Sequence, residues 1–143
     1  MTLADLITRV ESGSGSDRQL DADICVAARY IPACENAKNI KASNAGGAYL
    51  IYDDYGSICG VNSGTFAPHL TSSLDAIRAL MLARVPGRGL YIFAADDKLP
   101  VVIIWESGLM DDCSSDESEE SKHSDIHRAF LSAVLKAIAA KEG

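Results

Sequence analysis

The sequence predicts an α+β fold, a three-layer α/β/α sandwich around a mostly antiparallel four-stranded sheet with the element order ααββαββα. The chain has 143 residues, 48% of them hydrophobic, which suits a single globular domain over residues 1–143. Apolar residues recur at helical spacing in four segments. Two pairs of short β-rich runs flank the third of these segments, and the second pair is apolar enough to predict a sheet covered on both faces.

The first two predicted elements are helices separated by the spacer SGSGS. A helix over residues 2–12 is predicted from four apolar residues at helical spacing: Leu3, Leu6, Ile7 and Val10. Ser16 and Gln19 are three residues apart and match a capping box, which marks a helix start. The second helix is therefore predicted over residues 17–29.

The middle of the chain alternates between turn-rich and periodic segments. Residues 31–47 contain few large apolar side chains, so we expect a flexible loop there. The runs AYLIY and SICGV, joined by DDYG, predict a first hairpin. Ser72, with Asp75 three residues later, predicts the start of a third helix, which the Pro86-Gly87 pair ends.

The last third of the chain contains the second hairpin and the strongest helix. The runs GLYIFAA and VVIIWE predict the hairpin strands. Residues 108–123 are rich in serine and acids, so we expect an acidic solvated loop. The closing helix is predicted over residues 125–140, since Ile126, Phe130 and Val134 share one face.

Charge and hydropathy exclude two classes of partner. The formal net charge of −7 and a pI near 4.8 argue against a polynucleotide-binding protein, since such binding depends on lysine and arginine neutralising phosphates. No apolar run approaches the roughly 20 residues of a membrane span. Asp5 and Arg9 interrupt the apolar pattern of the first ten residues, which differs from a secretory signal. We therefore expect a cytoplasmic protein with neither nucleic acid polymers nor membranes as partners.

Neither a metal site nor a cofactor is predicted. The four cysteines, Cys25, Cys34, Cys59 and Cys113, form no C-x-x-C pair, so we expect reduced structural thiols. Phosphate-binding and hydrolase motifs of the common types do not occur, and no catalytic residue is predicted. We expect a protein that is not an enzyme.

One alternative to this expectation uses histidine. His123 and His127 are four residues apart and could share a helix face near Cys113 or Asp112. That arrangement would suit a small enzyme or a metal protein. The competing interpretation is a solvated polar face that holds both imidazoles.

The string SDRQLDADI places three acids and an arginine at the start of the second helix. Ser16, Asp17, Arg18 and Asp21 form this structural helix-start motif. The acids suit the positive end of the helix dipole, and Arg18 can pair with Asp21 one turn later. The functional alternative is a polar patch that contacts a ligand or a partner.

A ligand site is predicted from cationic and aromatic side chains. Guanidinium groups bind anions, and aromatic rings stack on planar molecules. An anionic, planar small molecule is therefore the expected ligand class. The predicted ligand-binding residues are Arg18, Arg78, Arg88, Tyr91 and Trp105.

Several strings occur together in an order that resembles a known family. These are LADLITRVESGSGSDRQLDADI, AYLIYDDYGS, APHLTSSLDAIRAL, a strand that contains tryptophan, and the closing AFLSAVLKAIAA. In this order they resemble the phage ABA sandwich domain family of small phage and prophage proteins. His69-Leu70 stands where that family usually has tyrosine, and the acidic insert between residues 111 and 125 is longer. The resemblance implies an α/β/α sandwich and no established activity.

These observations lead to a functional hypothesis with two alternatives. We expect a phage or prophage encoded, non-catalytic binding protein in the host bacterial cytoplasm. It would act against host defence by sequestering a small nucleotide-like immune signal or by blocking a host protein. One alternative is an oligomeric virion or assembly protein, and the other is the small enzyme or metal protein that uses His123 and His127.

Overall fold

The computed structural model describes residues 2–30, 39–43, 49–53, 65–93, 99–105 and 119–142, with residues 39–43, 49–53, 65–66, 105, 119 and 120 described by their backbone alone. The helices of this part of the chain are α1 (Leu3–Ser12), α2 (Arg18–Ala28), α3 (Leu74–Arg84) and α4 (Ile126–Glu142). Its strands are β1 (Asn39–Ser43), β2 (Tyr49–Asp53), β3 (Thr65–Phe66), β4 (Gly89–Phe93), β5 (Val101–Trp105) and β6 (Glu119–Lys122).

The strands of the described residues form two separate antiparallel sheets. The first has the order β1-β2-β3, in which Lys41 pairs with Ile51. The second has the order β4-β5-β6, in which Ile103 of β5 pairs with Tyr91 on one side and with Glu120 on the other. The element order is therefore ααβββαβββα.

The predicted single four-stranded sheet with the order ααββαββα is wrong. Strand β1 forms at residues 39–43, inside the segment expected to be a loop, and β6 forms at residues 119–122, inside the expected acidic loop. Both strands lie at the edge of their sheet, where polar side chains are tolerated because solvent reaches them. Composition alone therefore predicts loops at both places. The predicted second strand of the first hairpin, SICGV, lies outside the described residues.

Helix α4 forms the centre of the core. It packs against α1, α3, β5 and β6. Ala129, Ala133 and Ala137 follow one another at intervals of four residues and are completely buried, which lets neighbouring elements approach the helix closely. Phe130 and Leu131 are buried beside them. The predicted helix over residues 125–140 is confirmed, and its burial extends around most of its circumference.

Within the described residues, the second sheet is buried mainly along β5, on the side of α4. Val102 and Ile104 are completely buried on the side that α4 covers. Tyr91 and Phe93 lie on the opposite side and are 41% and 43% exposed, while Ile92, which pairs with Val102, is 38% exposed. The predicted sandwich with helices on both faces is wrong, because among the described elements α1 and α3 pack on α4, and no helix makes an extensive contact with β4.

Helix starts follow the expected chemistry with a shift of one residue. Thr2 and Asp5 form a capping box at α1. The cap of α2 is Asp17 rather than Ser16, and the cap of α3 is Ser73 rather than Ser72. At the start of both α2 and α3, two adjacent residues have side chains that can cap the helix. The N-cap is the residue whose side-chain oxygen accepts the third N–H of the helix.

Candidate functional site

A polar cavity of about 520 Å³ opens where α1 ends and α2 begins. Four residues of the segment that connects the two helices line one side, and Arg128 in the first turn of α4 lines another. Three arginines from three helices line it: Arg9, Arg18 and Arg128. The other described lining residues are small or polar: Ser12, Gly13, Ser14, Ser16 and Asp17.

Arg128 is the most deeply buried of the three arginines, with 2% of its surface exposed. Its Nε and Nη2 donate to the carbonyl oxygen of Gly15 at 3.2 and 2.8 Å. Its Nη1 donates to the carbonyl oxygens of Val10 and Arg9 at 3.3 and 3.4 Å. The last carbonyls of α1 carry the negative end of the helix dipole, which favours a cation there. These acceptors are formally neutral, so the full charge of the guanidinium remains beside the cavity.

Gly13 allows this close approach. A Cβ atom at residue 13 would lie 3.0 Å from Nη1 of Arg128. The guanidinium is held by its bonds to α1 and Gly15 and has little room to move away. Gly15 has a φ of +73°, the left-handed conformation that glycine adopts without strain. The SGSGS spacer therefore has a specific conformational role at both glycines.

Arg18 belongs to a buried network with Asp21. Its Nη1 donates to Oδ2 of Asp21 at 2.7 Å, and Asp21 is completely buried. The backbone N–H of Thr71 donates to the other Asp21 oxygen at 2.8 Å. Burial raises the pKa of Asp21, although the bonds from Thr71 and Arg18 act in the opposite direction. Arg18 also donates to the carbonyl oxygens of Ala67 and Pro68.

Asp17 places a carboxylate among the three arginines. Its Oδ1 accepts the N–H of Leu20 at 3.0 Å and so caps α2. Its own N–H donates to Oγ1 of Thr71 at 2.8 Å. The helix-start motif therefore has two roles, because Asp21 and Thr71 anchor the start of α2 while Asp17 and Arg18 also face the cavity.

Arg9 reaches the cavity from α1. Its Nη1 lies 2.8 Å from Oδ2 of Asp23 on α2, in an ion pair whose side chains are 34% and 24% exposed. A partly exposed pair of this kind contributes little to stability, about 0–1 kcal/mol. Replacing Arg9 should therefore change the cavity without unfolding the protein.

Asp125 holds the spacer from the other side. Its Oδ2 accepts the N–H of Gly15 at 3.0 Å. Its Oδ1 accepts the backbone N–H of His127 and lies 3.0 Å from Nδ1 of the same residue. The N–H of Asp125 donates to Nδ1 of His123 at 2.8 Å. Gly15 is thus clamped by Asp125 at its N–H and by Arg128 at its carbonyl.

This geometry weakens the histidine alternative. Asp125 occupies Nδ1 of both His123 and His127 through contacts that organise the start of α4. Within the described ranges, no group of three or more His, Cys, Asp or Glu side chains could hold a metal ion. Cys113 and Asp112 lie outside those ranges.

We expect Asp125→Asn to reduce stability only where the carboxylate is ionised. Burial raises the pKa of Asp125, but bonds from Gly15 and His127 outweigh it and hold the pKa below its usual value of 3.8. A lowered folded-state pKa contributes stability above the unfolded-state pKa, and this is lost as pH falls through the folded value. Urea denaturation should show a loss of about 1 kcal/mol at neutral pH that narrows below about pH 4. A difference that stays constant across this range would contradict the assignment.

The other predicted ligand residues lie away from the described wall of the cavity. Arg78 is exposed on α3, and Arg88 is half-buried just before β4. Tyr91 stacks near Phe93, with ring centroids 6.4 Å apart and planes 6° from parallel. Trp105 lies opposite Gly89 in the sheet, and its side chain is outside the description. Arg18 alone of the five is among the described residues that line the cavity.

Sequence reasoning missed Arg9 and Arg128 as site residues. They are more than a hundred positions apart, and the contacts of Arg128 are to backbone carbonyls. Side-chain spacing carries no signal for such contacts. The glycine-containing spacer is the one sequence feature that could have indicated a close approach at this place.

Cys25 matches its predicted role as a buried thiol. It is completely buried in α2 and free, and burial raises its pKa to about 12. The thiol is therefore protonated at neutral pH and fills space like a small apolar side chain. Cys34, Cys59 and Cys113 lie outside the described residues.

Comparisons with known proteins identify no relative. No protein-family model, curated protein or solved structure matches the chain. Among the helices described above, none has both the length and the apolar character needed to cross a bilayer.

Proposed function

We propose that this chain is a phage or prophage encoded, non-catalytic protein that captures a small nucleotide-like anion in the host bacterial cytoplasm and thereby withholds a defence signal. The observation that carries this proposal is the cavity lined by Arg9, Arg18 and Arg128. The phage origin rests on the family resemblance of the sequence strings. The cavity supports the small-ligand version of the hypothesis over the blocking of a host protein.

The chemistry of the lining favours an anion. Guanidinium groups form strong, charge-assisted hydrogen bonds with phosphate and carboxylate oxygens. Arg18 donates three hydrogen bonds within the described residues, and these leave its Nε unused. The acceptors of Arg128 are backbone carbonyl oxygens, so none of these bonds pairs its guanidinium with a carboxylate. A ligand phosphate can therefore bind near both groups without displacing a carboxylate from Arg128.

The size of the cavity agrees with a small molecule. Pockets for small ligands and cofactors commonly measure about 300–1,000 Å³. The cavity of about 520 Å³ lies inside that range. The bonds from Asp125 and Arg128 to Gly15 hold the spacer whose other residues line the cavity, which favours a pre-formed binding geometry.

Arg9→Gln is the direct test of this site. We expect calorimetric titration with AMP and cyclic AMP to show micromolar binding by the unaltered chain and no turnover of either compound. The variant should bind about tenfold more weakly, because one charge-assisted hydrogen bond is lost. Thermal unfolding should confirm that the variant still folds.

Arg78→Gln is the matched control, because it removes the same charge from an exposed position on α3. It should leave the affinity unchanged within about twofold if long-range electrostatics are screened. If Arg9→Gln and Arg78→Gln weaken nucleotide binding equally, the ligand would instead bind at the surface predicted from Arg78, Arg88 and Tyr91. Absence of binding by any phosphorylated compound would contradict the proposal.

A further inference from the structure

We infer that the cavity recognises the sugar-phosphate portion of its ligand and leaves any base outside, an inference that rests on the proposed anion-binding function. Residues of opposite charge line the same cavity, since Asp17 is among its lining residues together with Arg9, Arg18 and Arg128. A ligand that carries only negative charge would be attracted by the first and repelled by the second. A phosphorylated polyol satisfies both.

Asp17 supplies the hydroxyl-binding part. Its Oδ1 is committed to the N–H of Leu20. Among the described residues, no hydrogen bond is donated to its Oδ2, so this oxygen of a cavity-lining residue remains an acceptor. A carboxylate oxygen accepts a charge-assisted hydrogen bond from a hydroxyl group. Ser14 and Ser16 add hydroxyls that can both donate and accept along the same wall.

Arg18 and Arg128 supply the phosphate-binding part. They lie on different helices, and their contacts to other protein atoms hold both guanidiniums in place. The cavity is larger than a single phosphate group needs, so a ligand that reaches these arginines has room for a pentose-sized group toward Asp17. The described wall offers charges, hydroxyls and glycine, and the stacked rings of Tyr91 and Phe93 do not belong to it.

Asp17→Asn separates the two parts. Asparagine caps helices about as well as aspartate, so α2 keeps its start while the negative charge is removed. Ribose 5-phosphate should bind about five- to tenfold more weakly, because an ionised acceptor becomes a neutral one. Inorganic phosphate should bind equally well or up to about fivefold more tightly, because a repulsive charge has gone. If Asp17 had only a structural role, the variant would bind both ligands more weakly.

Asp75→Asn is the matched control, since Asp75 is an exposed acid in the first turn of α3. It should change neither affinity beyond about twofold. If Asp17→Asn weakens phosphate and ribose 5-phosphate to the same extent, the inference is overturned. The same conclusion follows if the variant leaves ribose 5-phosphate binding unchanged.

A ligand series distinguishes this inference from the proposed function. Ribose 5-phosphate and AMP should bind to the unaltered chain with dissociation constants within about threefold, and adenosine should not bind. If AMP binds and ribose 5-phosphate does not, the inference is overturned while the proposed function stands. Failure of phosphate, ribose 5-phosphate and AMP alike would overturn both.

Discussion

Replacing Asp21 by alanine is expected to lower the free energy of unfolding by about 3–5 kcal/mol, because it breaks a buried charged network from one side. The Asp21 side chain is completely buried between Arg18 and the N–H of Thr71. Alanine would leave that N–H without its acceptor and Arg18 without its carboxylate. Burial raises the pKa of Asp21, so the charge itself is costly in the fold. Most of the expected loss of stability comes from leaving Arg18 and the Thr71 N–H without an acceptor, and less comes from the net strength of the ion pair.

Asp23→Ala on the same helix is the control, since Asp23 pairs with Arg9 at a partly exposed position. It should cost about 0–1 kcal/mol. Asp21→Asn keeps an acceptor for Thr71 and is expected to lie between these values, at about 1–2 kcal/mol. Urea denaturation of the three variants at neutral pH measures the series. Equal effects of Asp21→Ala and Asp23→Ala would contradict the buried network.

Replacing Arg128 by methionine is expected to lower the free energy of unfolding by about 3 kcal/mol. Methionine keeps much of the side-chain length but cannot donate to the carbonyls of Arg9, Val10 and Gly15. Three acceptors at the junction of α1, α2 and α4 then lose their donors. Lys136→Met on the same helix is the control, because Lys136 pairs with Glu11 in a partly exposed ion pair that should contribute less than about 1 kcal/mol.

Equilibrium denaturation measures both α4 variants, and hydrogen exchange at Gly15 gives a local measurement. The N–H of Gly15 stays bonded to Asp125 in the unaltered chain. In Arg128→Met the spacer loses half of its clamp, so exchange at Gly15 should accelerate more than exchange in the middle of α3. If Arg128→Met loses as little stability as Lys136→Met, water molecules replace the hydrogen bonds of the guanidinium without cost.

The helices were predictable because each one has its own local signals. The apolar periods over residues 2–12 and 125–140 predict α1 and α4 within two residues at each end. The caps of α2 and α3 were misplaced by one residue, since adjacent residues offer similar capping oxygens. The strands β1 and β6 were missed, because their polar sequences become strands only through pairing with β2 and β5.

The candidate site was predictable in part. Arg18 and Asp21 were expected to pair, and they do so at 2.7 Å. Their burial was not predictable, because it depends on residues 67–71 closing over the start of α2. Arg128 was outside every predicted site, since its contacts are to carbonyl groups that every residue possesses.

The amino-acid sequence by itself determined where the helices form, the acidic character of the chain and the special chemistry at the start of α2, because these depend on neighbouring residues. Tertiary structure alone decided that the strands of the described ranges divide between two sheets and that residues 91–93 of β4 stay exposed. It also decided that Arg9, Arg18 and Arg128 line one cavity. The physical reason is that these features arise from packing and backbone hydrogen bonds between distant segments, which leave no periodic pattern in a sequence.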